Sequence, residues 1–184
     1  MKRVVPASVL FLAVLIFAAT AAQAKDLANR VGLGYSGEIS TNFVNDPGIG
    51  FSALNGASVK YWINKDMGIQ VVLGMNTWRE KDKGKYDVAG EAKYLYNLIQ
   101  EENMNFFVDG AFGAMGVGVD TGKDAHNYAG FTLGAGGGFE WFFSGLPNLG
   151  FSAELGLKYT NVDRFSGFGS YGGAFTAFGI HYYF

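Results

Sequence analysis

Residues 149–160, LGFSAELGLKYT, set Leu149, Phe151, Ala153, Leu155, Leu157 and Tyr159 at every second position, with Ser152, Glu154, Gly156, Lys158 and Thr160 between them. Alternation of period two is the signature of a β-strand, whose side chains point to opposite faces in turn. An amphipathic helix would space its apolar residues three and four apart. The stretch therefore predicts a strand with one bulky apolar face and one face of small or ionisable residues. Residues 131–143, FTLGAGGGFEWFF, repeat the pattern: Phe131, Leu133, Ala135, Phe139, Trp141 and Phe143 oppose Thr132, Gly134, Gly136, Gly138 and Glu140.

The same period extends in both directions. Met67, Ile69, Val71, Leu73 and Met75 oppose Gly68, Gln70 and Asn76, while Val88, Ala92, Tyr94, Tyr96 and Leu98 oppose Glu91, Lys93 and Asn97. Phe106, Val108, Phe112 and Ala114 oppose Asp109, Ala111 and Gly113, and Phe178, Ile180, Tyr182 and Phe184 oppose Gly179 and His181. Fainter segments are 53–63, with Ala57, Val59, Tyr61 and Ile63 against Ser58 and Lys60, and 30–38, with Val31, Leu33 and Tyr35. Eight strands result, each about ten residues long, which is the length a tilted strand needs to cross a bilayer. Short turns at 64–66 and 144–148, and a somewhat longer one at 100–105, alternate with polar connections at 39–50, 79–85, 120–127 and 163–172.

Composition agrees with a chain that does not meet water over its whole surface. Charged residues are 16% of the 184, against roughly 25% in a soluble domain. The absence of cysteine excludes disulfides, thiol catalysis, thiolate metal sites and a lipid anchor on Cys. A net charge of −2 offers nothing to nucleic acid.

Residues 1–24 read as a cleavable export signal: Lys2 and Arg3, an apolar run from Val9 to Ala19, and Ala22-Gln23-Ala24 before Lys25. The run is short for a spanning helix, which needs about 20 residues; an uncleaved anchor is the alternative. Cleavage takes two of the 14 basic residues and leaves about −4 against the 16 acidic ones. Residues 25–184 then form one domain.

Volume decides which face is inside. Eight strands enclose only enough room for side chains to fill, so the Gly, Ala, Ser and Thr face is expected inward and the bulky face outward. An apolar exterior belongs in hydrocarbon, where an unpaired strand edge costs several kcal/mol per group and forces closure. Trp62, Trp78, Tyr96, Trp141 and Tyr159 fall near strand ends, where an aromatic girdle would sit at headgroup level.

The last residues, with Phe178, Ile180, Tyr182 and a terminal Phe184, resemble the closing strand of bacterial outer-membrane β-barrels. In that family this segment is read by the barrel-assembly machinery. Residues 25–184 as a whole resemble the OmpA membrane domain, OmpX and opacity-type barrels. The resemblance implies an eight-stranded antiparallel up-and-down transmembrane barrel in the outer membrane, reached through the periplasm. It implies lipid and lipopolysaccharide as its surroundings and a monomer as its state.

Ionisable residues on the inner face are the candidate functional positions: Lys60, Glu91, Lys93, Asp109, Glu140, Glu154 and Lys158. Buried charges are costly unless paired, which predicts an ion-pair network plugging the lumen. A narrow ion path and a catalytic carboxylate pair are the alternatives. His126 and His181 are far apart in sequence and make a poor metal site. The His-x-Ser pair of lipid A deacylase barrels has no counterpart, since His126-Asn127-Tyr128 lacks the serine. Glycines 134 and 136–138 precede no predicted helix, so they do not read as a phosphate loop. The run 79–85, REKDKGK, reads as a solvated loop, or as a contact for lipopolysaccharide phosphates through Arg79, Lys81, Lys83 and Lys85. No cofactor or enzymatic activity is implied. The expected role is in envelope structure or surface interaction, with a small porin-like channel or carrier for ions or hydrophobic solutes as the alternative and a lipid-modifying enzyme as a third reading.

Overall fold

A computed structural model describes residues 26–38, 55–80, 83–120, 122–163, 165–171 and 177–184. The expected export signal and the connection 39–50 lie outside these residues, as does the side chain of Trp78. The strands are β1 (Val31–Glu38), β2 (Asn55–Trp62), β3 (Met67–Glu80), β4 (Lys83–Gln100), β5 (Met104–Asp120), β6 (Ala125–Phe143), β7 (Leu146–Val162), β8 (Phe165–Tyr171) and β9 (Ala177–Tyr183). Each pairs antiparallel with its neighbours, and β9 joins β1 to β7, so the sheet closes on itself.

Nine segments make eight staves. β9 pairs with the lower part of β7, Leu149–Glu154, and β8 pairs with its upper part, Gly156–Val162. The expected connection 163–172 is therefore largely strand, which corrects the sequence reading. Residues 79–85 are corrected likewise: β3 runs to Glu80 and β4 resumes at Lys83, with Arg79 opposite Gly84. Similarly, β5 reaches Asp120 and β6 starts at Ala125. Backbone hydrogen bonds do not need apolar side chains, so a hairpin continues into polar sequence after the alternation fades. The staves from β4 to β7 consequently run 17 to 19 residues, beyond the 9–11 or so that a membrane crossing requires.

The outward belt is apolar. Leu73, Val88, Phe112, Leu133, Leu155, Leu157, Phe178 and Ile180 all leave two-fifths or more of their surface uncovered. Lys60, Gln70, Glu140 and His181 point the other way and are fully buried. A soluble protein would reverse this arrangement.

The interior is not filled by small residues alone, and this corrects the volume argument. Trp62, Leu95, Phe107, Phe142 and Tyr183 all point inward at the short-turn end and pack with Leu27. Glycine supplies the room. A Cβ at Gly32 would meet the Tyr183 ring, one at Gly68 the Trp62 ring and one at Gly150 the Phe142 ring, each at 2.8–2.9 Å. Large inward residues on β2, β6 and β9 thus face glycines on β3, β7 and β1. Leu27 reaches the cluster through a tight turn in which Asn29 adopts φ 62° and donates its N–H to the Trp62 carbonyl at 2.7 Å. Asn is among the residues that tolerate this left-handed conformation.

Candidate functional site in the barrel lumen

The inner face is built in rows. The floor row is the apolar cluster, and two residues further along each strand comes a polar one: Lys60 above Trp62, Lys93 above Leu95, Asp109 above Phe107, Glu140 above Phe142 and His181 above Tyr183. All five of these polar residues are buried. Strand periodicity alone produces the rows, because inward positions recur every second residue.

Closure then brings together charges that are distant in sequence. Lys60 on β2 meets Glu140 on the opposite stave β6 at 3.2 Å, with both side chains 0% exposed. Lys93 on β4 donates to Glu154 on β7 at 2.6 Å, and Lys158 on β7 donates to Glu91 on β4 at 2.8 Å. These two bridges run in opposite senses between the same pair of staves. Lys93 also lies 3.7 Å from Glu91, which links them into one chain of charge. Asp109 is buried on the same inner face. Burial raises the strength of each pair and the cost of leaving any member alone.

Glu140 ties the charged row to the floor. The Tyr183 hydroxyl lies 2.9 Å from both of its oxygens and accepts from the Trp62 indole N–H at 3.4 Å. The Lys60 ammonium, besides its bridge, stands 5.5 Å from the centroid of the Phe107 ring, within cation–π range. The floor row and the charged row are thereby joined.

A further alignment was not legible in the sequence. Ser58 Oγ and His181 Nε2 are 2.8 Å apart, and His181 Nδ1 lies 3.9 Å from Glu140 Oε1. Residue types and order resemble a nucleophile, base and orienting acid, but the arrangement lacks what such a triad needs. Ser58 is 1% exposed, and the Gln70 amide donates to its oxygen at 2.9 Å. A reacting carbonyl must come within about 3 Å of the nucleophile and of oxyanion donors, and Gln70 occupies that side. The alignment is hydrogen-bonded packing. Among the described residues, no group of three or more His, Asp or Glu side chains could hold a metal ion.

Of the residues assigned to a girdle, Trp62 is corrected: it is 0% exposed and belongs to the lumen floor. Its position has the same parity as Ser58 and Lys60, so the period itself turns it inward. Tyr96 is exposed on the outer face, Trp141 stacks on Phe151 at 5.4 Å, and Tyr159 packs near Phe131 at 6.2 Å. The cations of residues 79–85 do not share one face. Arg79 lies opposite Gly84 and Trp78 opposite Lys85, so Arg79 and Lys85 point to different sides, and Lys85 pairs with Asp87 at 3.4 Å. Lys81 lies outside the described residues.

The chain superposes on the N-terminal β-barrel domain of Pseudomonas aeruginosa OprF with a TM-score of 0.53 at 12% identity, covering 85% of this chain and 98% of that one. It superposes on Neisserial surface protein A with a TM-score of 0.51 at 15% identity, covering 84% and 95%. Both are small outer-membrane barrels. This chain has their fold. At such identities the likeness concerns architecture alone, and no family model and no curated protein matches the sequence. The lumen contacts of this small outer-membrane-type barrel are accordingly read from its own residues.

Proposed function

We propose that the chain is an integral protein of a bacterial outer membrane whose lumen is shut by its own side chains, and that it serves envelope structure or surface contact without performing chemistry. The floor row carries this reading. Six buried residues, Leu27, Trp62, Leu95, Phe107, Phe142 and Tyr183, lie across the short-turn end, and above them Lys60, Lys93 and Lys158 are each bridged to a buried carboxylate. An ion entering from either end would have to shed its hydration against an apolar layer, at a cost of many kcal/mol.

Orientation follows from the same end. We read the short-turn end, where Arg30 holds the Phe184 and Tyr183 carbonyls, as periplasmic and the taller staves β4 to β7 as facing outside the cell. The outward rows then meet lipid and, at the upper rim, lipopolysaccharide. The barrel is read as a monomer. Phe178, Ile180, Tyr182 and Phe184 all face outward and remain 40% or more exposed, which leaves them available to the barrel-assembly machinery during insertion.

Planar-bilayer conductance tests the closed lumen. Purified wild-type protein is expected to give no sustained channels, and Glu140→Ala is expected to give at most brief openings. Stable, sizeable wild-type conductance would instead favour the channel reading and remove the plug.

A further inference from the structure

Just above the lumen floor, side chains from β6, β7 and β9 border one small space. His181 on β9 and Ser152 on β7 are 0% and 2% exposed. His181 Nδ1 and Ser152 Oγ find no hydrogen-bond partner among the described residues. Glu140 on β6 completes the border: its Oε1 lies 3.9 Å from His181 Nδ1, beyond hydrogen-bond reach. Register brings these groups together, because Glu140 stands opposite Ser152, Ser152 opposite Gly179, and His181 opposite Gly150. The two glycines leave the room. A Cβ at Gly179 would collide with Ser152 Oγ and come 3.5 Å from His181 Nδ1, while one at Gly150 would meet Glu140 Oε1 at 2.9 Å.

A buried polar atom without a partner gives up its hydration and gains nothing in return. A polar pair held further apart than about 3.5 Å is the setting for a bridging water. We infer that one buried water occupies this space, accepting from His181 Nδ1–H and donating to Glu140 Oε1 and Ser152 Oγ. Internal waters make about three hydrogen bonds each, and these groups supply them. Proton order supports the placement. Carboxylate oxygens only accept, and Glu140 Oε1 already accepts from Lys60 at 3.2 Å. The ring nitrogen on that side is therefore the one that carries the proton. Nε2 then accepts from the Ser58 hydroxyl at 2.8 Å, and Ser58 Oγ accepts from the Gln70 amide at 2.9 Å. Every donor points the same way, from Gln70 through Ser58, His181 and the water to Glu140. The inference rests on the shut lumen proposed above and gives this level of it a connection. Through the water, β3, β2, β9, β6 and β7 share one hydrogen-bonded chain across the barrel.

The experiment uses the full chain in phospholipid nanodiscs, with isotope-labelled histidine ring nitrogens read by nuclear magnetic resonance. His126→Gln assigns the His181 signals by difference. The expected spectrum has His181 protonated at Nδ1 alone, with a cross-peak from that proton to a water that outlasts bulk hydration. Ser152→Ala removes one of the water's partners and should weaken the cross-peak and lower the urea midpoint. Gly179→Ala should abolish the cross-peak. Gly110→Ala, on the outward face of β5 where a Cβ meets nothing within 4 Å, should change neither. Each variant is required to retain the gel-mobility shift of a folded barrel.

A wild-type His181 ring protonated at Nε2, or one with a sharp N–H signal and no water cross-peak, would overturn the site and leave the shut lumen intact. Survival of the cross-peak in Gly179→Ala, or a raised midpoint in Ser152→Ala, would do the same. Loss of the ring N–H signal to rapid exchange with bulk water would overturn the shut lumen and the site together.

Discussion

Lys60 and Glu140 stand on opposite staves of the barrel and meet at 3.2 Å across a lumen that shields both completely from water. Eighty residues of sequence separate them. Only closure of the sheet makes them partners, and each depends on the other to justify its burial.

That dependence sets the first expectation. Glu140→Ala leaves the Lys60 ammonium buried without its bridge and should cost about 3–5 kcal/mol, as broken buried pairs do. Lys60→Met should cost a similar amount by stranding Glu140. The double variant Lys60→Met/Glu140→Leu replaces both charges with apolar volume and should regain most of the loss. Urea unfolding from lipid vesicles, followed by far-UV circular dichroism, measures all three. Additive losses in the double variant would mean that the two side chains act separately.

Trp62 separates the lumen floor from a lipid girdle. With Trp78 and Trp141 replaced by Phe, the remaining indole should resist both aqueous acrylamide and lipids brominated on their chains, because it touches neither phase. Truncation to Ala should cost about 3–5 kcal/mol, typical of a large buried aromatic residue. Strong quenching by bromolipid would return Trp62 to the outer face.

Ser58 beside His181 invites a test for hydrolytic chemistry. The folded protein should not react with a fluorophosphonate probe, and Ser58→Ala should leave any esterase background unchanged. Labelling of the wild-type protein that disappears in Ser58→Ala would show that Gln70 yields its place to a substrate.

Phe184 projects outward, 68% exposed, with its ring in edge contact with Tyr182 at 5.1 Å. Little packing is lost if it is shortened. Phe184→Ala should therefore cost no more than the transfer of its ring from water to lipid, up to about 3 kcal/mol, and should in addition accumulate in the outer membrane at a lower rate. Pulse-chase appearance of the folded, heat-modifiable form reads the rate. Equal assembly rates for the two proteins would remove the terminal segment from recognition.

Much of the fold was legible because a strand writes its two faces into every second residue. LGFSAELGLKYT and FTLGAGGGFEWFF declare an apolar side and a small or charged side without reference to any neighbour, and six such runs besides them count out the staves. The inward parity of Lys60, Lys93 and Glu140 came from the same rule. So did that of Trp62, although its type suggested a headgroup anchor; residue preference is weaker than the geometric alternation of a continuous strand. Leu95, Phe107, Phe142 and Tyr183 were likewise available by parity, each two residues from an inward polar side chain.

The sequence by itself therefore determined the strand period, the face each side chain takes and the approximate number of staves, since all of these are local consequences of backbone geometry. Tertiary structure decided which inward residues meet: Lys93 with Glu154, Lys158 with Glu91, Ser58 with His181, and the rings of Trp62 and Tyr183 with the vacancies at Gly68 and Gly32. Those contacts depend on register and on closure around the ring. A shift of pairing by two residues would keep every face and change every partner, so no single strand carries the information.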